Sequence, residues 1–365
     1  MSDGPGTFIP IAAPDIGSEE EAAVLRVLRS GRLAQGPEVR ALEEAFALVS
    51  GARYAVAVAN GTAALHAALQ ALGIGPGDEV LVPAFTFAAT ANAVLATGAV
   101  PIFIDIDADF LMDLSDAAAK ITPNTAAMMP VHLYGLMADM HAVHTFASLH
   151  GLAIVEDAAQ AHLARRAGVT PGQMGVAAYS LYATKNMMSG EGGLVTTSSS
   201  EIAERVRLFR NHGMSDRYHH ETWGMNLRMT DLQAAMGRVQ LDKLPEATRR
   251  RIENAAALTD GLPSLFTTPR VPADAYHVFH QFTVRVPAPY RDRVVEEFKR
   301  RQIGVDIYYP LPLTRQPSLK KWSSECPSAD AASGEVISLP VHPKVDAESL
   351  DRVIEAAIAI SAEMS

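Results

Sequence analysis

The stretch Ser180-Leu-Tyr-Ala-Thr-Lys185-Asn-Met-Met-Ser-Gly-Glu-Gly-Gly193 is the most informative part of this sequence. It surrounds one lysine with small and hydroxylic residues and ends in a glycine-rich turn. This pattern is typical of a lysine that forms a Schiff base with a carbonyl compound. Taken alone, Lys185 could equally be a solvated surface residue, which is the usual state of a lysine.

A second informative segment is Ala153-Ile-Val-Glu-Asp157-Ala-Ala-Gln160, which predicts a buried strand that ends in a carboxylate. An acid in this place can pair with the ring nitrogen of pyridoxal phosphate (PLP) and keep it protonated. As an isolated residue, Asp157 could instead cap a helix. If a helix begins here, Gln160 lies on the same side and can hydrogen-bond the phenolic oxygen of the cofactor. Together the two segments predict a PLP enzyme with Lys185 and Asp157 as catalytic residues.

Two more segments follow predicted strands, where ligands of open α/β sheets gather. Asn60-Gly-Thr-Ala-Ala64 opens a predicted helix whose free N–H groups and dipole could hold a phosphate, although Thr62 could simply cap that helix. Phe87, at the end of Pro83-Ala-Phe-Thr-Phe, could stack on a flat cofactor ring or belong to the core. Ser180 could give the phosphate a hydroxyl contact.

Short apolar strands alternate with helical segments from residue 53 onward, which predicts a mostly parallel sheet covered by helices on both faces. The predicted strands are 54–59, 79–82, 100–104, 126–131, 152–155 and 194–197. Two helices are predicted within 17–50, and others at 201–210, 230–244 and about 246–261. A strand at 279–286, a helix at 290–301, a strand at 304–308 and a helix at 347–360 predict a C-terminal α+β unit. We therefore expect a large PLP-binding domain over 1–245, including the N-terminal helices, and a smaller domain over 246–365.

The composition restricts the compartment and the partners. The 365 residues are 48% hydrophobic and 20% charged with a formal charge of −10, so no basic surface for nucleic acid or acidic lipid is expected. Cys326 is the only cysteine, which excludes an intramolecular disulfide and any multi-cysteine metal site. No basic leader followed by an apolar run opens the chain, and no window approaches a membrane span. We expect a cytoplasmic protein.

Histidine pairs raise the question of a metal. His141 and His144 are one helical turn apart, and His219 and His220 are adjacent. No third ligand at a typical spacing accompanies either pair, so no metal site is predicted.

The order and spacing of these motifs resemble the DegT/DnrJ/StrS sugar aminotransferases, a fold-type-I PLP family that acts on nucleotide-linked keto sugars. The resemblance covers nearly the whole chain. The segments that carry it are Gly31-Arg-Leu-Ala-Gln-Gly-Pro37, Asn60-Gly-Thr-Ala63, Pro83-Ala-Phe-Thr-Phe87, Glu156-Asp-Ala-Ala-Gln-Ala-His162, Ser180 to Gly193, Gly224-Met-Asn-Leu-Arg-Met-Thr-Asp231 and Tyr308-Tyr-Pro310.

The resemblance implies a role for each matching residue. Lys185 forms the Schiff base, Asp157 meets the ring nitrogen and Gln160 meets the phenolic oxygen. The remaining cofactor contacts are Phe87 over the ring, Thr62, Ala63 and Ser180 at the phosphate, and Asn226 at the phosphate of the neighbouring subunit. The family relation thus implies a homodimer with shared active sites.

The resemblance also implies a reaction. An amino acid, with glutamate as the expected donor, and a nucleotide sugar would exchange an amino group in a ping-pong sequence. Tyr308, Arg228 and His220 are predicted to bind the sugar substrate, although the polar loop that holds His220 could equally be an ordinary interface or surface loop. Tyr308 occupies a position where the family often has histidine, and residues 163–172 are looser than the usual glycine-rich connection.

Two other functions stay open at this point. A PLP-dependent sugar dehydratase of the same fold is disfavoured, because relatives that dehydrate carry histidine at the position of Lys185. A regulatory or scaffold protein that binds PLP would have little reason to keep Asp157, Gln160 and Lys185 together. The sequence does not discriminate amination at C3 from amination at C4 of the sugar.

Overall fold

The computed structural model describes residues 7–364. Its helices are α1 (Ser18–Ser30), α2 (Pro37–Ser50), α3 (Gly61–Ala71), α4 (Ala88–Thr97), α5 (Leu114–Lys120), α6 (Met140–His150), α7 (Ser200–Phe209), α8 (Asp231–Gly261), α9 (Ala288–Arg300), α10 (Pro327–Glu335) and α11 (Ala347–Met364). Its strands are β1 (Tyr54–Val58), β2 (Glu79–Pro83), β3 (Val100–Ile104), β4 (Thr125–Met128), β5 (Ala153–Asp157), β6 (Arg165–Arg166), β7 (Val176–Ser180), β8 (Gly193–Thr197), β9 (Met214–Asp216), β10 (His219–His220), β11 (Ala275–Tyr276), β12 (Phe282–Arg285) and β13 (Val336–Leu339).

A seven-stranded sheet in the order β1-β8-β7-β5-β4-β2-β3 forms the centre of the molecule. β8 runs antiparallel to both of its neighbours, and the other pairings in this sheet are parallel. Its strands are nearly continuous apolar runs because helices cover both faces. The predicted mostly parallel α/β fold is confirmed.

Helix α3 packs closely against the sheet, and this close packing explains its many alanines. Ala64, Ala67 and Ala68 are fully buried, and the helix packs on β7, β8, α4 and α7. Small side chains let the helix axis approach the strands closely. A Cβ atom on Gly61 would lie only 2.8 Å from the Cβ atom of Ser180, so the start of α3 and the end of β7 are in near contact. This closeness brings two of the predicted phosphate ligands together.

Helix α8 differs from the sequence prediction. The sequence predicts two helices, 230–244 and about 246–261, because Pro245 lacks the N–H that an interior turn needs. In the structure one helix runs from Asp231 to Gly261 with Pro245 inside it. Leu241, Leu244 and Thr248 are buried on both sides of the proline, and this packing outweighs one lost hydrogen bond. The predicted domain boundary at 245/246 therefore falls within a continuous helix, and the division into two domains stays a prediction.

The C-terminal part has its own hydrophobic cluster. Ile9 packs there with residues between Ala255 and Ile360, among them Phe282 and Phe298. β12 pairs with β13, a strand that the sequence prediction missed. The strand predicted at 304–308 is wrong, because this segment makes only isolated bridges on either side of Gly304. It instead carries the chain across to the central cavity.

The helices were compared with the length and hydropathy that a membrane-spanning helix needs. Between residues 7 and 364, no helix is both long and apolar enough to cross a bilayer.

Candidate active site

A cavity of about 810 Å³ opens at the carboxyl ends of the parallel strands. Residues that follow β1, β2, β5 and β7 converge on it, which is where ligands bind in open α/β sheets. Eight of the residues predicted from the sequence line this cavity: Thr62, Ala63, Phe87, Asp157, Gln160, Ser180, Lys185 and Tyr308.

One end of the cavity is built for an anion. Asn60 caps α3, and its Oδ1 accepts a hydrogen bond of 2.9 Å from the N–H of Ala63. Thr62 is therefore part of the first turn and is not the cap. Within the described chain the N–H groups of Gly61 and Thr62 have no acceptor, so they and the helix dipole can hold a phosphate. The buried hydroxyl of Ser180 faces the same point.

Asp157 ends β5 and is held from both sides. Its Oδ2 accepts a hydrogen bond of 2.8 Å from the hydroxyl of Thr90, and its Oδ1 accepts one of 3.1 Å from the N–H of Ala159. Only 5% of the residue is exposed. Burial raises the pKa of the carboxyl above its ordinary value, against the hydrogen bonds and the nearby charge of Lys185, which lower it. A cation placed beside Asp157, such as a protonated ring nitrogen, would stabilise the ionised form.

A buried pair lies behind Asp157 and fixes the end of the strand. His132 accepts a hydrogen bond of 3.2 Å at Nδ1 from the N–H of Ala138, so its proton lies on Nε2 and is donated to Glu156 at 2.9 Å. The other carboxylate oxygen of Glu156 accepts from the N–H of Gly172. The N–H of His132 donates to the carbonyl of Asp157. This arrangement sets the direction in which Asp157 points into the cavity.

Lys185 lies in the tight turn that follows β7. Its N–H donates to the carbonyl of Tyr182, and the turn closes where the N–H of Ser189 donates to the carbonyl of Leu181. The side chain is half-buried, and within residues 7–364 its Nζ has no hydrogen-bond partner. Burial lowers the pKa of the Lys185 amine to about 8, against the charge of Asp157, which raises it. About a tenth of this amine is uncharged at pH 7, far more than of an ordinary lysine, and only the uncharged amine is a nucleophile.

Gln160 lines the cavity although no helix begins after Asp157, contrary to the condition under which its position was predicted. The chain makes turns here. The side chain is oriented by the N–H of Tyr134, which donates to Oε1 at 2.6 Å. Its Nε2 then points toward Tyr309 at 3.2 Å. Phe87 is 60% exposed at the rim, with its ring centroid 6.1 Å from that of Tyr309, and is not a core residue.

His280 is a cavity residue that the sequence reasoning missed. Its Nδ1 lies 3.0 Å from Oδ1 of Asn186, whose amide nitrogen donates to the carbonyl of Val278. Because Oδ1 can only accept, Nδ1 carries the proton and Nε2 is left as an acceptor. Burial and the charges of Lys185 and Arg251 lower the pKa of the imidazole well below its ordinary value. His280 is therefore a neutral hydrogen-bond acceptor beside the reactive lysine.

Three predicted residues do not line the cavity of their own chain. Asn226 and His220 are exposed, and Nδ1 of His220 contacts the carbonyl of His212. Arg228 donates to Oδ1 of Asn211 at 2.8 Å. Tyr309, Gln281 and Tyr182 line the cavity but were not predicted. Tyr309 belongs to the quoted motif Tyr308-Tyr-Pro310, which is the one sequence signal that pointed to it.

The histidine pairs are not parts of a larger cluster. Among residues 7–364, no group of three or more His, Cys, Asp or Glu side chains is placed to hold a metal ion.

The fold and the cavity define a fold-type-I PLP-dependent transferase. A sequence profile of the DegT/DnrJ/EryC1/StrS aminotransferase family matches residues 14–358, and the chain belongs to this family. It is therefore a member of the sugar aminotransferases.

Several named relatives match over most of their length. The pleiotropic regulatory protein of Geobacillus stearothermophilus is 42% identical over 90% of this chain and 91% of its own. The UDP-N-acetyl-3-dehydro-alpha-D-glucosamine 3-aminotransferase of Acidithiobacillus ferrooxidans is 40% identical over 90% of both chains. The dTDP-3-amino-3,4,6-trideoxy-alpha-D-glucose transaminase of Streptomyces venezuelae is 41% identical over 94% of this chain and 93% of its own.

Solved structures show the same architecture. DesV of S. venezuelae, in complex with a ketimine intermediate, superposes with a TM-score of 0.91 at 41% identity and covers 94% of each chain. A sugar aminotransferase of Streptococcus pneumoniae in its PLP form superposes with a TM-score of 0.93 at 27% identity, over 98% of this chain and 100% of that one.

Proposed function

We propose that this protein transfers an amino group from an amino acid, with glutamate as the donor, to a keto group of a nucleotide-linked sugar, with PLP as its cofactor. The observation that carries the proposal is the placement of Asp157 and Lys185 in one cavity. Among residues 7–364, no cation is bonded to the buried carboxylate of Asp157 and no anion is bonded to the amine of Lys185.

The residues present fit PLP at every functional group of that molecule. The free N–H groups at the start of α3 and the hydroxyl of Ser180 match its phosphate, Asp157 matches its ring nitrogen, and Gln160 presents an amide N–H for its phenolic oxygen. Phe87 offers an aromatic face at the rim. When bound, PLP would supply the aldehyde that accepts the amino group and a ring that withdraws electrons.

The protein's own groups then hold and move the protons. Asp157 keeps the ring nitrogen protonated, because its buried carboxylate gains most from an adjacent cation. Nζ of Lys185 would hold the cofactor and, when free, would take a proton from one carbon of the reacting molecule and return it to another. Its pKa of about 8 suits both directions of that transfer. His280 faces the same amine as a neutral acceptor and adds no competing positive charge.

The names of two relatives support a finer proposal for the substrate. Both are named for amination at C3 of a nucleotide sugar. We propose a 3-keto nucleotide sugar as the acceptor, a homodimer as the working unit and the cytoplasm as the compartment that suits the composition.

One observation favours a second candidate function. The Geobacillus relative is named as a regulatory protein, which matches the regulatory alternative drawn from the sequence. The complete set Asp157, Gln160 and Lys185 in one cavity supports the enzyme instead, since regulation alone does not require a reactive lysine.

The test combines product analysis with mapping of the lysine. Purified protein with PLP and glutamate is offered 3-keto and 4-keto nucleotide sugars, and mass spectrometry detects the amino sugar. Amination of a 3-keto sugar is expected. No amination of any member of the panel would favour the regulatory function.

Borohydride reduction followed by peptide mapping should place the cofactor on Lys185. The Lys185→Ala variant should lose both this adduct and nearly all turnover. Lys299→Ala, at an exposed position of α9, is the matched control and should retain both. An adduct on another lysine would contradict the assignment.

A further inference from the structure

The amide of Gln160 has only one orientation that satisfies its neighbours. The N–H of Tyr134 donates to Oε1 at 2.6 Å, and a backbone N–H cannot accept a hydrogen bond. The NH₂ group of Gln160 therefore points the other way, where it lies 3.2 Å from the phenolic oxygen of Tyr309. In this pair Gln160 is the donor and Tyr309 the acceptor.

This orientation decides what the hydroxyl proton of Tyr309 can do. Gln160 donates to the hydroxyl oxygen, so that oxygen keeps its own proton free for another acceptor. The pKa of Tyr309 is raised by burial and by the negative charge of Asp157, so the phenol stays protonated. Within residues 7–364 its O–H has no acceptor, and both side chains line the central cavity. A hydrogen-bond donor thus faces the cavity.

The position of the ring is fixed by neighbouring aromatic side chains. The centroid of Tyr309 lies 6.0 Å from that of Phe85 and 6.1 Å from that of Phe87. Phe85 is fully buried, whereas Phe87 lies at the rim of the cavity. Such edge and tilted contacts hold a ring in place. The hydroxyl therefore has little freedom to turn away from Gln160.

We propose that Tyr309 is a further catalytic residue, whose O–H donates together with a side-chain N–H of Gln160 to the phenolic oxygen of PLP. The inference rests on the proposed function, because it needs the cofactor in this cavity. Two donors on one oxygen stabilise its anionic form. When PLP is bound to Lys185, its phenolic oxygen and Nζ of the lysine would share one proton. The two donors would lower the pKa of that proton. The cofactor is thereby kept ready to react near neutral pH.

The test is a spectroscopic titration of the protein loaded with PLP. Absorbance of the bound cofactor is followed from pH 5 to pH 10 in the wild-type protein and in Tyr309→Phe. The variant keeps the ring and its packing but loses the donor, so the midpoint should rise by about one pH unit, a tenfold change in proton affinity. Equal melting temperatures confirm that the variant is folded.

Tyr182→Phe is the matched control. It removes a phenol that also lines the cavity but makes no hydrogen bond to Gln160. Its midpoint should stay at the wild-type value. An unchanged midpoint in Tyr309→Phe, or an equal rise in both variants, would overturn the inference. Failure of the wild-type protein to bind PLP would instead contradict the proposed function.

Discussion

At the scale of single residues, the site works by placing opposite charges in a cavity without letting them pair directly. Burial raises the pKa of Asp157 and lowers that of Lys185, and the charge of each opposes the shift of the other. A direct salt bridge would keep the lysine charged and unreactive. The cavity between them leaves room for a flat molecule that satisfies both groups.

The pKa of Lys185 predicts how the cofactor-free protein captures PLP. Only the uncharged amine attacks the aldehyde, so the rate constant should rise with pH, with a midpoint near pH 8, and level off at higher pH. An ordinary lysine would give a midpoint near ~10.4. Stopped-flow absorbance of PLP mixed with the cofactor-free protein measures this dependence, and a midpoint at the ordinary value would contradict it.

The Asp157→Asn variant sharpens this measurement. The carboxylate raises the pKa of Lys185, so its removal should move the midpoint below that of the wild-type protein. A midpoint shifted upward would show that Asp157 acts on the lysine through structure and not through charge.

The sequence predicted Lys185 and Asp157 better than it predicted two other residues of the cavity, His280 and Tyr309. Lys185 and Asp157 occur in segments whose local pattern has few other chemical uses. His280 and Tyr309 reach the cavity from the C-terminal part of the chain, far from both segments. The role of His280 depends on Asn186, which binds Nδ1 and so leaves Nε2 as an acceptor. The role of Tyr309 depends on Gln160, which donates to the hydroxyl oxygen and so leaves the hydroxyl proton free. The motif Tyr308-Tyr-Pro310 indicated the position of Tyr309 but not its hydrogen bond, and no local signal indicated His280.

At the scale of elements, Asp231 connects the N-terminal loop to α8. Its Oδ1 accepts from the N–H of Gly36 at 2.8 Å and from that of Val39 at 3.0 Å, and the residue is 1% exposed. The carboxylate thereby lies at the N-terminal ends of α2 and α8, where the dipoles of both helices stabilise negative charge. This single side chain fixes how α2 lies against α8.

Loss of this carboxylate should therefore destabilise the protein. We expect Asp231→Ala to lower the free energy of unfolding by about 2–3 kcal/mol, because the buried N–H of Val39 and the part-buried N–H of Gly36 lose a charged acceptor. Urea denaturation measures the change. Asp242→Ala, at an exposed position of the same helix, should stay within about 0.5 kcal/mol of the wild type. Equal losses in the two variants would show that Asp231 contributes only as a helix residue.

The elements themselves were predicted unevenly, for physical reasons. Strand β3 agrees with its predicted bounds at both ends because a turn lies on each side of a short apolar run. Strand β7 was missed because its residues Val176-Ala-Ala-Tyr-Ser180 do not alternate, being buried on both faces. The continuity of α8 through Pro245 depends on burial along its whole length, which the local rule for proline does not include.

At the scale of the whole molecule, the segment around Asn226 has the features of an interface. Tyr218, Trp223 and Met225 are large apolar side chains that are 77%, 61% and 42% exposed. Aromatic residues and methionine are enriched where proteins meet. Asn226 itself is exposed and does not line the cavity of its own chain, although its neighbour Leu227 does. A second copy of the chain would receive Asn226 if the active sites are shared.

A mixed dimer distinguishes a shared site from a separate one. Lys185→Ala and Asn226→Asp are each expected to be nearly inactive, the second because a carboxylate repels the phosphate of PLP. If Asn226 serves the partner's site, a heterodimer of the two variants contains one site with both defects and one with none. Random pairing of equal amounts gives half heterodimers, so roughly a quarter of all sites should recover after co-refolding.

The structure supplies a control in which no recovery is possible. Lys185 and Asp157 line one cavity of one chain, so every site in a Lys185→Ala and Asp157→Asn heterodimer carries one defect. Activity gained only in the pair with Asn226→Asp therefore reports a residue that crosses between subunits. If that pair is no more active than the mean of its separately refolded parents, Asn226 acts within its own chain through the Leu227 edge of the cavity or has no role in the site. The exposed apolar segment would then have to be explained by a different partner.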